Sequence, residues 1–156
     1  RQKTATLIAA CCEIGVLSNN ADESTARKMR EFGTLTGMAF QIKDDLFDFL
    51  TSNIIGKPVG IDIKEKKMTL PLIYTLKHCD KSTKNKIIHI FKNAAKKKNE
   101  IKYIIDAVNA SGGIHYAENK MKTYIEEAFL LTHTLPDNEA KKYLLQLVNY
   151  SIDRKF

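Results

Sequence analysis

Three carboxylates, Asp44, Asp45 and Asp48, stand in a segment otherwise built of large apolar side chains. Residues 37–50 read Gly-Met-Ala-Phe-Gln-Ile-Lys-Asp-Asp-Leu-Phe-Asp-Phe-Leu. On a helix, positions 37, 41, 44 and 48 follow at i, i+4, i+7 and i+11, so Gly37, Gln41, Asp44 and Asp48 make one stripe. Around it stand Met38, Phe40, Ile42, Leu46, Phe47, Phe49 and Leu50, and a helix apolar nearly all round is a core helix. Carboxylates crowded there repel one another and lose hydration unless they are protonated, paired or bound to a cation. That leaves a pair with shifted proton affinity or a metal centre. Every donor on offer is an oxygen, with no His or Cys at helical spacing, which suits Mg²⁺ better than Zn²⁺. Magnesium held by few carboxylates completes its shell with substrate phosphates and water. The plainer reading is an exposed acidic turn screened by Lys43; the bulky flanks argue against exposure.

The elements that must position these groups are helices. The first apolar set, Leu7, Ala10, Cys11, Ile14 and Leu17, recurs at helical spacing and predicts an amphipathic helix over residues 3–17. Ser-Asn-Asn-Ala-Asp from Ser18 breaks it, and Asn20 or Asp22 caps a long helix over residues 21–50 that carries the carboxylates near its end. Gly33 and Gly37 inside that helix each cost about 1 kcal/mol relative to Ala, so they mark close helix approach or room kept for a ligand. Residues 51–67, with Gly56, Pro58 and Gly60, read as a lysine-bearing loop, and a structureless loop of that length is commonly functional. Pro71 suits the start of a helix running to about Cys79. Ser82 caps the next, marked by Ile87, Ile88 and Phe91. Ile101, Ile104, Ile105 and Val108 mark another, closed by Gly112 and Gly113. A helix from about Ile114 follows, and Pro136 with Asp137 opens the last, with Ala140, Tyr143, Leu144, Leu147 and Val148 on its apolar face. No stretch alternates with period two, so the fold class is all-α, a largely antiparallel helical bundle.

A chain of 156 residues is one domain by length, and 7 Gly and 3 Pro leave no linker. Three cysteines, two of them the neighbours Cys11 and Cys12, make no disulfide framework, and a reducing cytoplasm fits. No apolar run is long enough to span a membrane. The net charge of +7 is largely lysine. Without aromatic interleaving, zinc spacing or a recognition helix it points to a solvated face and not to nucleic acid. The chain begins with Arg, which suggests a piece of a longer one.

In order along the chain, Lys3-Thr4-Ala5, the run from Phe40-Gln41 to Asp48, and Gly56-Lys57-Pro58-x-Gly60-x-Asp62 resemble the trans-type polyprenyl diphosphate synthases. The resemblance continues through Lys67-x-Thr69-Leu70-Pro71, Gly112-Gly113-Ile114-x-Tyr116-Ala117 and a Leu-rich final helix ending at Arg154. It implies an isoprenoid synthase-type antiparallel bundle around an apolar cavity, in which Mg²⁺ grips an allylic diphosphate. Ionisation leaves a carbocation to which isopentenyl diphosphate adds. Metals and lysines offset the charge of the leaving group, and a dry pocket keeps water from the cation. By the resemblance Asp44, Asp45 and Asp48 hold Mg²⁺, with Asp44 the direct ligand. Lys3 and Lys57 bind the allylic diphosphate, and Thr4 and Gln41 present oxygens to the cation. Lys67, Arg154 and Lys155 are weaker substrate-binding assignments, for each of which a solvated surface charge weighs at least as much. The resemblance also implies a cytoplasmic homodimer.

The family's first motif, Asp-Asp-x-x-Asp followed by Arg-Arg, is not in this sequence; Asp22-Glu23 and Glu126-Glu127 lack the third carboxylate and the arginines. The chain therefore resembles the C-terminal half of a synthase, and the half alone is expected to be inactive and to associate through faces left without partners. Wording around Gly56-Lys57 and the closing helix is closer to long-chain enzymes such as the octaprenyl type. The alternative is a non-catalytic partner subunit of a prenyl synthase.

Overall fold

The computed structural model describes residues 4–49, 59–93 and 97–154. These form eight α-helices and one 3₁₀ turn, with no strand among the described residues: α1 Thr4–Leu17, α2 Glu23–Phe47, α3 Ile61–Lys64, α4 Leu70–His78, α5 Lys81–Lys92, α6 Lys98–Ala110, α7 Gly113–Leu131, the turn Thr132–Thr134 and α8 Glu139–Asp153. Two compact units result, one of Arg1–Lys43 with Lys120–Lys155, the other chiefly Asp44–Asn119. The expected all-α class is what the chain adopts.

In the first unit α1 lies antiparallel on α2. A Cβ on Gly33 would stand 2.7 Å from Ala9 Cα, and one on Gly37 would stand 2.5 Å from Ala5 Cα. Small residues four apart on both helices thus let the backbones touch, so the glycines serve close approach and not a ligand. Arg30 pairs with Glu13 at 3.1 Å at one end of this contact, and Thr4 bonds Gln41 at the other. Ala5 and Ala9 form the buried side of α1, while Leu7, Ile14 and Leu17, the large apolar residues whose spacing marked the helix, are 66%, 63% and 48% exposed. Large side chains on the α2-facing side would have held the helices apart. In α8 Val148 is buried, whereas Tyr143 and Leu147 of its predicted apolar face are exposed.

The second unit has a core of Phe49, Ile63, Leu72, Ile87, Ile90, Ile101, Ile104, Ile105 and Val108. Lys86 lies over the Tyr103 ring at 3.9 Å, fastening α5 to α6. Gly113 starts α7 and is not a cap. A Cβ there would reach Pro71 O at 2.7 Å and Thr75 Oγ1 at 2.9 Å, so only Gly lets that helix start sit against α4.

Helix starts follow side-chain acceptors. Asp22 accepts from Thr25 N at 3.0 Å and from its hydroxyl at 2.8 Å; Asn20 takes a left-handed turn conformation instead, with φ 57°. Asp80, not Ser82, caps α5, accepting from Ser82 N at 2.8 Å and Thr83 N at 3.0 Å. Asn138, two residues past Pro136, caps α8 through Lys141 N at 3.0 Å. Of the expected loop 51–67, the described part contains the one-turn helix α3.

Candidate functional site

Gln41, Asp44 and Asp45 all lie within α2, half-buried, beside the buried Ile42 and Leu46. The helical spacing expected of Gln41 and Asp44 therefore holds, and the carboxylates are not an open acidic turn. Asp48 departs from it. It lies one residue past the helix, its N–H directed at Asp45 O at 3.4 Å in a tightened last turn.

The Asp48 side chain turns to the backbone of α3. Its Oδ1 accepts from Ile61 N at 2.7 Å and its Oδ2 from Asp62 N at 3.1 Å, while its main-chain oxygen accepts from Gly60 N at 3.1 Å. Gly60 is the N-cap of α3 with φ 81° and no side chain to offer; a Cβ there would collide with Ile101 Cγ2. The acceptors that a capping residue normally supplies locally come here from a residue 13 positions upstream. Burial pushes the Asp48 carboxyl above its ordinary value, and the backbone donors at Asp62 and Ile61 pull against that.

Lys67 sits beyond α3, its Nζ 2.7 Å from Glu65 Oε2 and 3.1 Å from Asp62 Oδ1. Its N–H also donates to Asp62 O at 2.8 Å. These bonds, to Glu65 first and then Asp62, raise the ammonium's proton affinity and keep it charged. The unit thus has a chain of contacts from Asp48 through Asp62 to Lys67. Sequence reasoning singled out its two ends and missed Asp62 as the link, although Gly60-x-Asp62 stood in the motif.

In the first unit the Thr4 hydroxyl donates to Gln41 Oε1 at 2.8 Å, joining the start of α1 to α2. The Arg154 guanidinium lies 4.1 Å over the Phe40 ring, so it packs on α2 and is not a freely solvated charge. Lys3, Lys57 and Lys155 lie outside the described residues. A recess of about 470 Å³ in the second unit, bordered by His78, Cys79, Tyr103 and Asp106, touches none of the residues picked from the sequence.

Among the described residues no three His, Cys, Asp or Glu side chains converge as a metal cluster. Asp44 and Asp45 nonetheless offer oxygen donors from one half-buried helical turn. That set fits Mg²⁺, which is bound through one or two carboxylates and shares its shell with phosphates, and does not fit a dedicated all-protein Zn²⁺ cage.

Residues 1–108 match the sequence profile described as Polyprenyl synthetase. The heptaprenyl diphosphate synthase component 2 of Bacillus subtilis is 33% identical over 100% of this chain and 44% of its own length. The crystal structure of geranylgeranyl pyrophosphate synthase from Bacteroides thetaiotaomicron superposes with a TM-score of 0.90 at 36% identity, covering 99% of this chain and 51% of that one. The geranylgeranyl pyrophosphate synthase of Corynebacterium glutamicum, crystallised with calcium and isoprenyl diphosphate, gives 0.82 at 26% identity over 96% of this chain and 46% of that one. The chain spans about half the length of the curated relatives it matches.

Proposed function

The chain belongs to the polyprenyl synthetase family, and from that membership we propose that the protein it forms part of is a Mg²⁺-dependent prenyltransferase. It condenses isopentenyl diphosphate with an allylic diphosphate. The observation that carries this reading furthest is the half-buried pair Asp44 and Asp45, set on a helix whose neighbouring side chains are core. A divalent cation held there supplies charge for the departing diphosphate. Lys67, with Lys3 and Lys57, binds the diphosphate oxygens. Thr4 and Gln41 turn hydroxyl and amide oxygens toward the allylic cation. The C–C bond forms as the isopentenyl alkene attacks that cation, and a proton is lost from the adduct.

The calcium and isoprenyl diphosphate in the Corynebacterium structure support a divalent ion beside a prenyl diphosphate. The product is a long-chain diphosphate of the octaprenyl class, a reading that rests on the wording around Gly56-Lys57 and on the heptaprenyl relative. No helix among the described residues is long and apolar enough to cross a membrane, in keeping with work in the cytoplasm. The description "component 2" says of the Bacillus protein that it is one of several components, which favours a different chain as partner over a pair of identical ones.

The test is an incubation of the full protein with an allylic diphosphate, isopentenyl diphosphate and Mg²⁺, with and without a chelator. The expected outcome is a polyprenyl diphosphate that disappears with the metal. Product that forms equally well in the chelator removes the metal from the account, and no condensation with any allylic primer removes the activity. A protein that makes product only when mixed with a second chain supports the two-component form.

A further inference from the structure

We propose that Asp48 is a positioning residue, not a third metal ligand: its carboxylate ties the end of α2 to the first turn of α3 and, through Asp62, sets the place of Lys67. The assignment of Lys67 to diphosphate rests on the reading above, and the tie itself does not.

Both Asp48 oxygens are engaged by backbone N–H groups, at 2.7 and 3.1 Å. Its main-chain carbonyl takes a third, from Gly60. The need for such a tie is local. Backbone donors at a helix start have no partner within the helix, and the N-cap of α3 is a glycine. A four-residue helix that is neither long nor locally capped has little stability of its own. Asp48 supplies what Gly60 lacks. Asp62, whose N–H is held by Asp48, then accepts from Lys67 with its carboxylate at 3.1 Å and with its carbonyl at 2.8 Å. Two of the three ammonium protons are directed at Asp62 and Glu65, which leaves one for an anion. Asp44 and Asp45 lie inside α2, whereas Asp48 lies past its end and is turned to a different duty. The spacing Asp-Asp-x-x-Asp then joins two cation ligands to one strut.

The experiment compares Asp48→Asn, Asp48→Ala and Asp44→Ala in the full protein. Hydrogen exchange comes first because it needs no activity. In Asp48→Ala the amides of Ile61 and Asp62 should exchange about tenfold faster, as for loss of a cap of ordinary strength, and Asp48→Asn, which keeps one of the two acceptor oxygens, should recover part of the protection, at one of the two amides. In turnover, Asp48→Ala should raise KM for the allylic diphosphate about tenfold with the Mg²⁺ requirement within about twofold of the parent. The pair Asp48→Ala with Lys67→Ala should be no worse than Lys67→Ala alone, since both act on one contact. Unchanged exchange at residues 61 and 62 overturns the tie. A Mg²⁺ requirement that rises in Asp48→Asn as much as in Asp44→Ala overturns the role, because Asn keeps one of the two hydrogen bonds and loses the charge. Failure of every form to turn over prenyl diphosphates, with exchange behaving as stated, contradicts the proposed function and leaves the strut standing.

Discussion

At the scale of single residues, three glycines in helices separate two physical effects. Gly15 in α1 has nothing within 4 Å of where a Cβ would stand, whereas Gly37 faces the Ala5 backbone at 2.5 Å. Gly15→Ala should therefore stabilise the chain by about 0.5–1 kcal/mol through helix propensity alone. Gly37→Ala gains the same propensity and must force two backbones apart, an overpacking cost of roughly 1–3 kcal/mol, so it should destabilise, and Gly33→Ala with it. Denaturant titration of each variant checks the signs. Equal stabilisation by all three would mean that α1 and α2 do not touch as described. Sequence alone raised close approach and ligand room as equal readings of Gly33 and Gly37. The partner residues Ala5 and Ala9 lie more than twenty positions away, and helical periodicity carries no information about them.

At the scale of elements, most helices were legible because the 3.6-residue period and the breaks at residues 18–22, 79–80 and 111–112 are strong local signals. What was not legible depended on contacts. The buried side of α1 went to its small residues Ala5 and Ala9 because α2 offers glycines there, a pairing that the spacing of Leu7, Ile14 and Leu17 does not show. The helix α3 escaped notice because its cap comes from Asp48. Of the candidate site, the placement of Asp44 and Asp45 on one half-buried turn of α2 was legible in the sequence, and the contact of Asp48 with α3 was not. Helix starts also carry a pH dependence. Asp22 is held below its ordinary value by bonds from Ser24 and Thr25, and Asp80 by bonds from Thr83 and Ser82. A carboxyl lowered on folding gives stability that is present above its unfolded value and lost as pH falls toward its folded one. The chain should therefore lose thermal stability below about pH 4. Asp22→Asn and Asp80→Asn together, which keep the caps without a charge, should flatten that limb of the curve. A curve unchanged by the pair would assign the acid limb to other carboxylates.

At the scale of the whole molecule, α1 leaves Leu7, Ile14 and Leu17 exposed and α8 leaves Tyr143, Leu147 and Tyr150 exposed. Contiguous patches beyond a few hundred Å² mark contact surfaces, and burial yields about 25 cal/mol per Å². The chain of 156 residues, prepared alone, should thus associate and show no prenyl transfer, since the family's first aspartate motif is not within it. Light scattering of the purified chain reads the first expectation; a monodisperse monomer that elongates an allylic diphosphate would contradict both. The proposed prenyl transfer requires that Asp44 serve the cation. Removing a carboxylate from a crowded turn relieves repulsion and should leave the fold intact. The deciding measurement is the Mg²⁺ dependence of condensation by Asp44→Ala in the full protein, with circular dichroism to verify folding. The expected result is a helical, stable variant whose kcat falls by roughly a hundredfold or more, of the order lost with a group that offsets charge only in the transition state. Activity equal to the parent's at saturating Mg²⁺ would contradict it.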